Sequence, residues 1–410
     1  MGRKYQSLDW RSSKSINCSA SQYREIYWQS DTGNRQKENK KRIIVMDMET
    51  LLPLGKVDPG LRTPSEPLDI HKVADQSKLV EEIGYSSVMT EETKDDPFTV
   101  LTLAANSTES LGIGTAVTIT FPRSPTVMAL SAWTLQKFSK GRFTLGLGPQ
   151  VKAHIERRYG IKANPLGPWM RDYVKAVKAV WNTWQNGTKL DYQGEFYNLN
   201  LMVPLFDAGP IEHPEIPIHL AAVNEYMCFV AGQVADGVRP HPVCTPSFIE
   251  QEMLPQIQAG AKAEGRSLKH FKVSMKPLIA TASNEEQLQT KIKDARARIA
   301  FYLSTPAYIK AFSHHGLEDL ANEAKLLSRA QKWEELPQLI SDEILEKFVV
   351  IGTFDTIGNK LFERFGNVVT NSEFSIPVNN SGDKEKLMEI IKMLQSKSTT
   401  AARLNIEGNI

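Results

Sequence analysis

Two glycines and a run of cations form the strongest candidate for ligand binding in this chain. Gly146 and Gly148 end an apolar segment, where the absent Cβ lets the backbone turn sharply and lets a ligand approach closely. Lys152, His154 and Arg157 follow, and His154 and Arg157 are spaced to share one helix face. Backbone N–H groups beside cations suit a phosphate or another polyanion. The alternative is a tight turn followed by a solvated basic helix.

A second candidate anion site follows a later apolar segment. Ala221 and Ala222 end that segment, and Asn224 is placed to cap the helix that begins after it. The free N–H groups of a helix start attract negative charge. Simple helix capping explains the same residues equally well.

Two residues are candidates for proton transfer. Glu92 lies in the acidic stretch TEETKDDPF, where neighbouring carboxylates and partial burial would raise a carboxyl pKa. His241 lies on a stiff segment between Pro240 and Pro242 and could donate a proton or contact a substrate. For His241 the alternative is a loop histidine with a purely structural role. Asp96, before Pro97, is explained more simply as a helix cap.

The remaining histidines and the cysteines show no pattern of metal binding or nucleophilic catalysis. His314 and His315 are adjacent in a polar stretch and match no metal-ligand spacing. The three cysteines, Cys18, Cys228 and Cys244, lack a CxxC spacing, which favours a reducing cytoplasm over a disulfide-bonded compartment. We therefore expect no metal site.

The charge distribution separates the first 45 residues from the rest of the chain. They carry ten Lys and Arg against four Asp and Glu, whereas the remainder carries 39 against 43. A mildly acidic body gives no footprint for nucleic acid, and no run of 18 apolar residues indicates a membrane span. We expect residues 1–45 to be a disordered or loosely attached basic extension, without the apolar core of a secretory signal.

Apolar, β-branched segments alternate with helical patterns along the rest of the 410 residues. Segment 111–148 is the clearest unit: a strand, a helix that begins at Pro125, and a second strand, which together force the two strands to be parallel. The same alternation predicts eight strands in all, in segments 43–52, 85–90, 111–120, 142–147, 216–221, 238–242, 271–282 and 367–376.

Eight strands, each followed by a helix, predict an α/β fold, a (β/α)8 TIM barrel with a helical insertion between strands 7 and 8. The barrel domain is expected over residues 46–398, with the insertion at 304–346 and a C-terminal tail at 399–410. A doubly wound open sheet is the alternative, but it needs fewer strands and leaves two unpaired edges. In a barrel the active site lies at the carboxyl ends of the strands, where all of the candidate residues above fall.

Several segments resemble the luciferase-like monooxygenase superfamily, and within it the branch that uses the deazaflavin coenzyme F420. The similar segments are GTAVTITFPRSPTVMALSAWTLQKFSKGRFTLGLGPQVKAHIERRYG, GPWMRDYVKAVKAVW, YQGEFYNLNLMVPLFDAGPIEHPEIPIHLAAVNEYM, VADGVRPHPVCTP and STPAY. They fall within residues 46–376, and residues 1–45 are not part of the resemblance.

The resemblance implies hydride transfer between a small organic substrate and the deazaflavin. The end of strand three, with Val117 and Thr118, would lie against the ring system, in some members at a bulge or a non-prolyl cis peptide. Two segments would hold the phosphate end: the loop with Gly148, Gln150, Lys152, His154 and Arg157, and the helix start with Ala222, Val223, Asn224 and Met227.

Two alternatives stay open beside this interpretation. With FMN instead of the deazaflavin, the same site would support monooxygenation with molecular oxygen. A barrel that binds a flavin without chemistry is the other alternative, because many relatives carry a histidine after strand two, where this chain has TEETKDDPF. Glu92 is then a substitute candidate for the acid/base. A homodimer is expected by family analogy.

Overall fold

Eight parallel strands close into a barrel in the computed structural model, which describes residues 43–56 and 67–400. Each strand pairs with the next, and the last pairs with the first through Asn371 and Asp47, so this sheet has no free edge. The predicted TIM barrel is thereby confirmed. The strands are β1 (Asp47–Leu51), β2 (Ser87–Thr90), β3 (Gly112–Thr115), β4 (Phe143–Gly148), β5 (Ile218–Ala222), β6 (Gly237–Pro240), β7 (Lys272–Met275) and β8 (Asn371–Glu373).

Helices cover the outside of the barrel, and one long amphipathic helix buries a cluster of three tryptophans. Trp181 and Trp184 of this helix, α5, pack around Trp133, which lies on α3. The helices are α1 (Val73–Ile83), α2 (Pro97–Ser107), α3 (Pro125–Phe138), α4 (Lys152–Arg157), α5 (Leu166–Asn186), α6 (Glu225–Val234), α7 (Pro246–Phe248), α8 (Leu254–Ala263), α9 (Glu285–Leu303), α10 (Ile309–Ser313), α11 (Glu318–Arg329), α12 (Asp342–Phe348), α13 (Ile357–Phe365) and α14 (Ser381–Ser396). A π-helical turn, Ile249–Met253, joins α7 to α8.

Charged side chains occupy positions inside the barrel that branched apolar residues usually fill. Side chains alternate between the two faces of a strand, so Asp47 and Glu49 of β1 share one face, as do Lys272 and Ser274 of β7. Asp47 pairs with Lys272 at the amino end (2.9 Å). Glu49 pairs farther along with Arg239 of β6. The apolar positions between them, such as Met48, are buried on the opposite face, toward the helices.

The segment after β3 departs from the single strand that the sequence predicts over 111–120. The peptide bond between Ala116 and Val117 is cis, and a short strand, Thr118–Ile119, resumes beyond it and pairs with the end of β4. Gly146 lies against this break, because a Cβ there would be 1.9 Å from the Thr115 carbonyl oxygen. This glycine therefore permits close packing of β3 on β4.

The insertion between β7 and β8 contains strands as well as helices. The predicted seventh strand, 271–282, is two strands: β7 in the barrel and Leu278–Ala282 outside it. The second pairs in parallel with Val349–Thr353, which the sequence did not reveal. Pro277 lies between the two and has no N–H to continue a ladder. Helices α9 to α12 connect the two outer strands.

Two small antiparallel pairs complete the described strands. Tyr192–Gln193 pairs with Asn198–Leu199 after α5. Ile43–Val45 pairs with Ser398–Thr400, so strand structure extends into segments assigned above to the extension and the tail. The rest of both segments lies outside the described residues, and the disorder or loose attachment of residues 1–45 stays a prediction. Within residues 43–56 and 67–400, no helix is long and apolar enough to cross a membrane.

Candidate active site

A cavity of about 590 Å³ opens at the carboxyl ends of the barrel strands. We call it the mouth cavity. Its volume is in the usual range for small-molecule and cofactor sites. A larger cavity of about 850 Å³ opens at the amino ends of the strands, away from the face where barrel enzymes carry their sites. Of the predicted site residues, the mouth cavity is lined by Val117, Gly148, Gln150, Ala222, Val223, Asn224, Met227 and His241.

One wall of the mouth cavity is apolar. Val117, Ile119, Ala222 and Met227 line it. A Cβ on Gly148 would lie 2.5 Å from a methyl group of Val117, so this glycine leaves room for the Val117 side chain. A planar ring with little polar edge would bury its face well against such a wall.

The rim beside this wall is polar. Asn224 begins α6, yet its side chain makes no capping hydrogen bond, and the side chain is exposed at the cavity. Gln150 adopts a left-handed backbone conformation (φ 62°), which is uncommon for a residue with a Cβ. Glu225 in the first turn of α6 is paired with Lys310 at 2.7 Å, which offsets its negative charge. The rim therefore suits an anionic group.

A buried ion pair lies at the floor of the mouth cavity. Glu49 is 1% exposed, Arg239 is 8% exposed, and both line the cavity. Burial raises the pKa of the Glu49 carboxyl, the Arg239 guanidinium opposes that rise, and the Asp47 carboxylate adds to it. Ser274 lines the same floor, and its buried hydroxyl has no hydrogen-bond partner among the described residues. Sequence patterns missed Glu49 because its partner Arg239 is 190 residues away in the chain.

A second charged group spans the opposite wall. Glu91 contacts Lys56 (2.6 Å) and Lys276 (3.1 Å), and Lys276 lies 3.8 Å from Glu373. Glu91, Lys276 and Glu373 line the cavity. These residues come from the ends of β2, β7 and β8, and only the closed barrel brings them together.

His241 lies at the junction of the barrel and the insertion. Its ring stacks on Tyr308 (3.8 Å between centroids) and meets the edge of Tyr302 (4.8 Å). All three residues line the mouth cavity. Its Nδ1 accepts a hydrogen bond from the Val243 N–H at 3.3 Å. His241 therefore lies at the end of β6, as the sequence predicts. Two tyrosines of the insertion lie beside it.

Glu92, the predicted acid/base, does not line the mouth cavity. Its carboxylate accepts hydrogen bonds from the Thr118 hydroxyl (2.5 Å), the Ile119 N–H (2.7 Å) and the Arg123 guanidinium (2.7 and 2.8 Å). Thr118, predicted to contact the cofactor, is buried in the same network. These contacts hold in place the segment that follows the cis peptide. The acidic pattern was visible in the sequence, but its distant partner Arg123 was not.

Four other predicted residues also lie outside the mouth cavity. Gly146 packs against the backbone of β3, as described above. Lys152, His154 and Arg157 are exposed on α4, which begins immediately past the cavity-lining Val151. They could reach only a ligand that extends out of the cavity. Within the described residues, no cluster of three or more His, Cys, Asp or Glu side chains could hold a metal ion.

Comparison with known sequences identifies a protein family and several relatives of this chain. The family model described as "Luciferase-like monooxygenase" matches residues 51–370. An uncharacterized protein of Mycobacterium tuberculosis is 38% identical over 305 residues, which cover 74% of this chain and 90% of the relative. The 5,10-methylenetetrahydromethanopterin reductase of Methanopyrus kandleri is 26% identical over 304 residues (71% and 84%).

A solved structure shares the fold. The coenzyme F420-dependent tetrahydromethanopterin reductase from Methanopyrus kandleri superposes with a TM-score of 0.64 at 24% identity, over 85% of this chain and 97% of that chain. The match of the family model over most of the barrel confirms the resemblance seen in the sequence. The chain belongs to the luciferase-like monooxygenase family.

Proposed function

We propose that this protein is a deazaflavin-dependent oxidoreductase that transfers a hydride between a small organic substrate and coenzyme F420. The observation that carries the proposal is the mouth cavity, with an apolar wall, an anion-accepting rim and a buried carboxyl group at its floor. The name of the Methanopyrus kandleri reductase supports the choice of coenzyme.

The residues present fit such a cofactor. Val117, Ile119 and Met227 would cover one face of a ring system, and the Ser274 hydroxyl is a buried group that still needs a partner. Gln150 and Asn224 would hold the phosphate end. The exposed cations of α4, Lys152, His154 and Arg157, would meet the acidic tail of a deazaflavin where it leaves the cavity.

The bound coenzyme supplies hydride acceptance or donation, and the protein supplies position and proton handling. Glu49 holds a proton more readily than an exposed carboxyl group, because burial raises its pKa. Arg239 keeps its ionised form from being an uncompensated buried charge. Tyr302, Tyr308 and His241 close the insertion side of the cavity and limit the access of water to the reactants.

Two other functions fit the same cavity less well. An FMN-dependent monooxygenase is supported by the description of the matching family, but FMN has no acidic tail for the cations of α4. In a barrel that binds a flavin but catalyses no reaction, the buried pair of Glu49 and Arg239 would have no function.

The test is a titration of the purified protein with coenzyme F420 and, separately, with FMN, followed by fluorescence quenching. We expect saturable binding of the deazaflavin that is tighter than binding of FMN. Tight FMN binding without deazaflavin binding would replace this proposal by the monooxygenase. Binding of the deazaflavin without hydride exchange toward any alcohol, aldehyde or enone in a substrate panel would favour the non-catalytic barrel.

A further inference from the structure

The acidic and basic side chains that line the mouth cavity are paired with one another. Among the described residues, the Asp, Glu, Lys and Arg side chains of this lining are Glu49, Glu91, Arg239, Lys276 and Glu373. The first and third form the ion pair at the floor. The other three belong to the charged group of the opposite wall, which, together with Lys56, we call the wall group.

The wall group carries no net formal charge, because it consists of two lysines and two glutamates. Glu91 contacts both lysines, and Lys276 lies between Glu91 and Glu373. The four side chains are only 15% to 26% exposed. Water screens charges only partly at this depth, so an added charge would be felt strongly.

A charged group on a substrate would upset this balance. A carboxylate or an ammonium group loses much of its hydration in a cavity, and it regains that free energy only from an unpaired charge of opposite sign. Every member of the wall group already has an opposite partner. An uncharged polar group is accepted more easily, because the Lys276 ammonium can donate to it and the Glu91 and Glu373 oxygens can accept from it.

The insertion adds an aromatic surface to the same cavity. Tyr302 and Tyr308 line the cavity together with His241 and Ala307. The imidazole ring stacks on Tyr308, and the edge of Tyr302 meets it, so the three rings hold one another in place. Such a surface packs well against the hydrocarbon body of a substrate.

We propose that the substrate is an uncharged carbonyl compound with an apolar body, or the corresponding alcohol, and that Lys276 and Glu91 determine this specificity. The inference rests on the function proposed above, in which Glu49 at the floor handles the proton. The carbonyl end would face this floor, and the body would lie against the tyrosines. The balanced wall group would reject compounds that carry a carboxylate, a phosphate or an ammonium group.

The test uses three ketones of similar size that differ in charge: para-methylacetophenone, para-acetylbenzoate and para-acetylbenzylamine. Isothermal titration calorimetry measures their binding to the protein, with and without oxidised coenzyme F420. We expect the wild-type protein to bind the uncharged ketone at least about tenfold more tightly than either charged ketone, since burial of an unpaired charge is costly. Equal or tighter binding of a charged ketone, or no binding of the uncharged one, would overturn the inference.

Two substitutions should shift this preference in opposite directions. Lys276→Gln leaves one excess negative charge in the wall group, and Glu91→Gln leaves one excess positive charge. Relative to the uncharged ketone, the amine should gain at least about tenfold in the first variant and the carboxylate should gain as much in the second. Lys175→Gln and Glu264→Gln are the controls, because they remove the two members of an ion pair outside the cavity (3.1 Å). The same change for both charged ketones would contradict a role in specificity.

Hydride transfer from the reduced coenzyme to each ketone, followed by deazaflavin absorbance, distinguishes this inference from the proposed function. Binding with the expected preference but without hydride transfer would contradict the oxidoreductase and leave the preference for uncharged ligands in place. Hydride transfer to all three ketones with equal kcat/KM would contradict the inference and leave the oxidoreductase in place.

Discussion

At the scale of single residues, the candidate site depends on a buried carboxyl group whose partner is far away in the chain. Glu49 and Arg239 are 190 residues apart and meet only because β1 and β6 face each other across the barrel. Sequence reasoning favoured Glu92 because acidic loop residues stand out in a sequence. The sequence could not show that Arg123, Thr118 and Ile119 all donate hydrogen bonds to that carboxylate.

The first prediction concerns Glu49. Glu49→Gln should lower kcat by about 10²- to 10⁴-fold, the usual loss when a proton-transfer group is removed, while cofactor binding stays near the wild-type Kd. Glu318→Gln, which removes an exposed carboxylate on α11 away from the mouth cavity, is the control and should keep the wild-type kcat. Steady-state kinetics and cofactor titrations measure both. A Glu49→Gln enzyme with the wild-type kcat would remove this residue from proton transfer.

At the scale of elements, the sequence predicted the barrel strands well, because most of them lie in apolar segments between helical patterns. The prediction failed where contacts with a distant segment decide how an apolar run folds. Segment 271–282 reads as one strand, but its second half leaves the barrel after Pro277 and pairs with Val349–Thr353, 71 positions away at Leu278 and Val349. Asn224 was placed correctly at the start of α6, although its side chain does not cap the helix.

The packing of β3 on β4 gives a prediction of stability. Gly146→Ala should lower the free energy of unfolding by about 3 kcal/mol or more, since the new Cβ would overlap the Thr115 carbonyl oxygen. Gly382→Ala, where the nearest atom would be 3.2 Å away, should change it by no more than about 1 kcal/mol. Denaturant unfolding of both variants measures this. Equal stability of the two would mean that β3 and β4 do not approach as closely as described.

The exposed cations of α4 distinguish the two cofactors. Replacing Lys152 and Arg157 together by Ala should weaken coenzyme F420 binding about fivefold, the sum of two exposed ion contacts. Binding of FMN should change less, because FMN lacks the acidic tail. Removal of two exposed lysines elsewhere, Lys78 and Lys392, is the control for net charge. If both cofactors lose affinity equally, α4 does not contact the tail.

At the scale of the whole molecule, one helix face is apolar and exposed. Val127, Leu130 and Phe138 of α3 are 53%, 49% and 47% exposed, and Leu103 of the neighbouring α2 is 37% exposed. Dimerisation stays a prediction, and this face is where we expect the contact. Val127→Glu with Leu130→Glu should yield monomers in sedimentation velocity, whereas Leu326→Glu on α11, which is 65% exposed, should not. A wild-type protein that sediments as a monomer would contradict the predicted dimer.

The barrel has a cavity at each end, and we propose that the redox coenzyme binds in the smaller one. Hydrogen exchange measured by mass spectrometry, with and without coenzyme F420, tests this assignment most directly. We predict slower exchange in peptides that contain Val117–Ile119, Gly148–Val151 and Val223–Met227, and no change around Lys178, His219 and Asp236 at the amino ends. Slower exchange only in peptides around the amino-end cavity would contradict binding of the coenzyme in the mouth cavity.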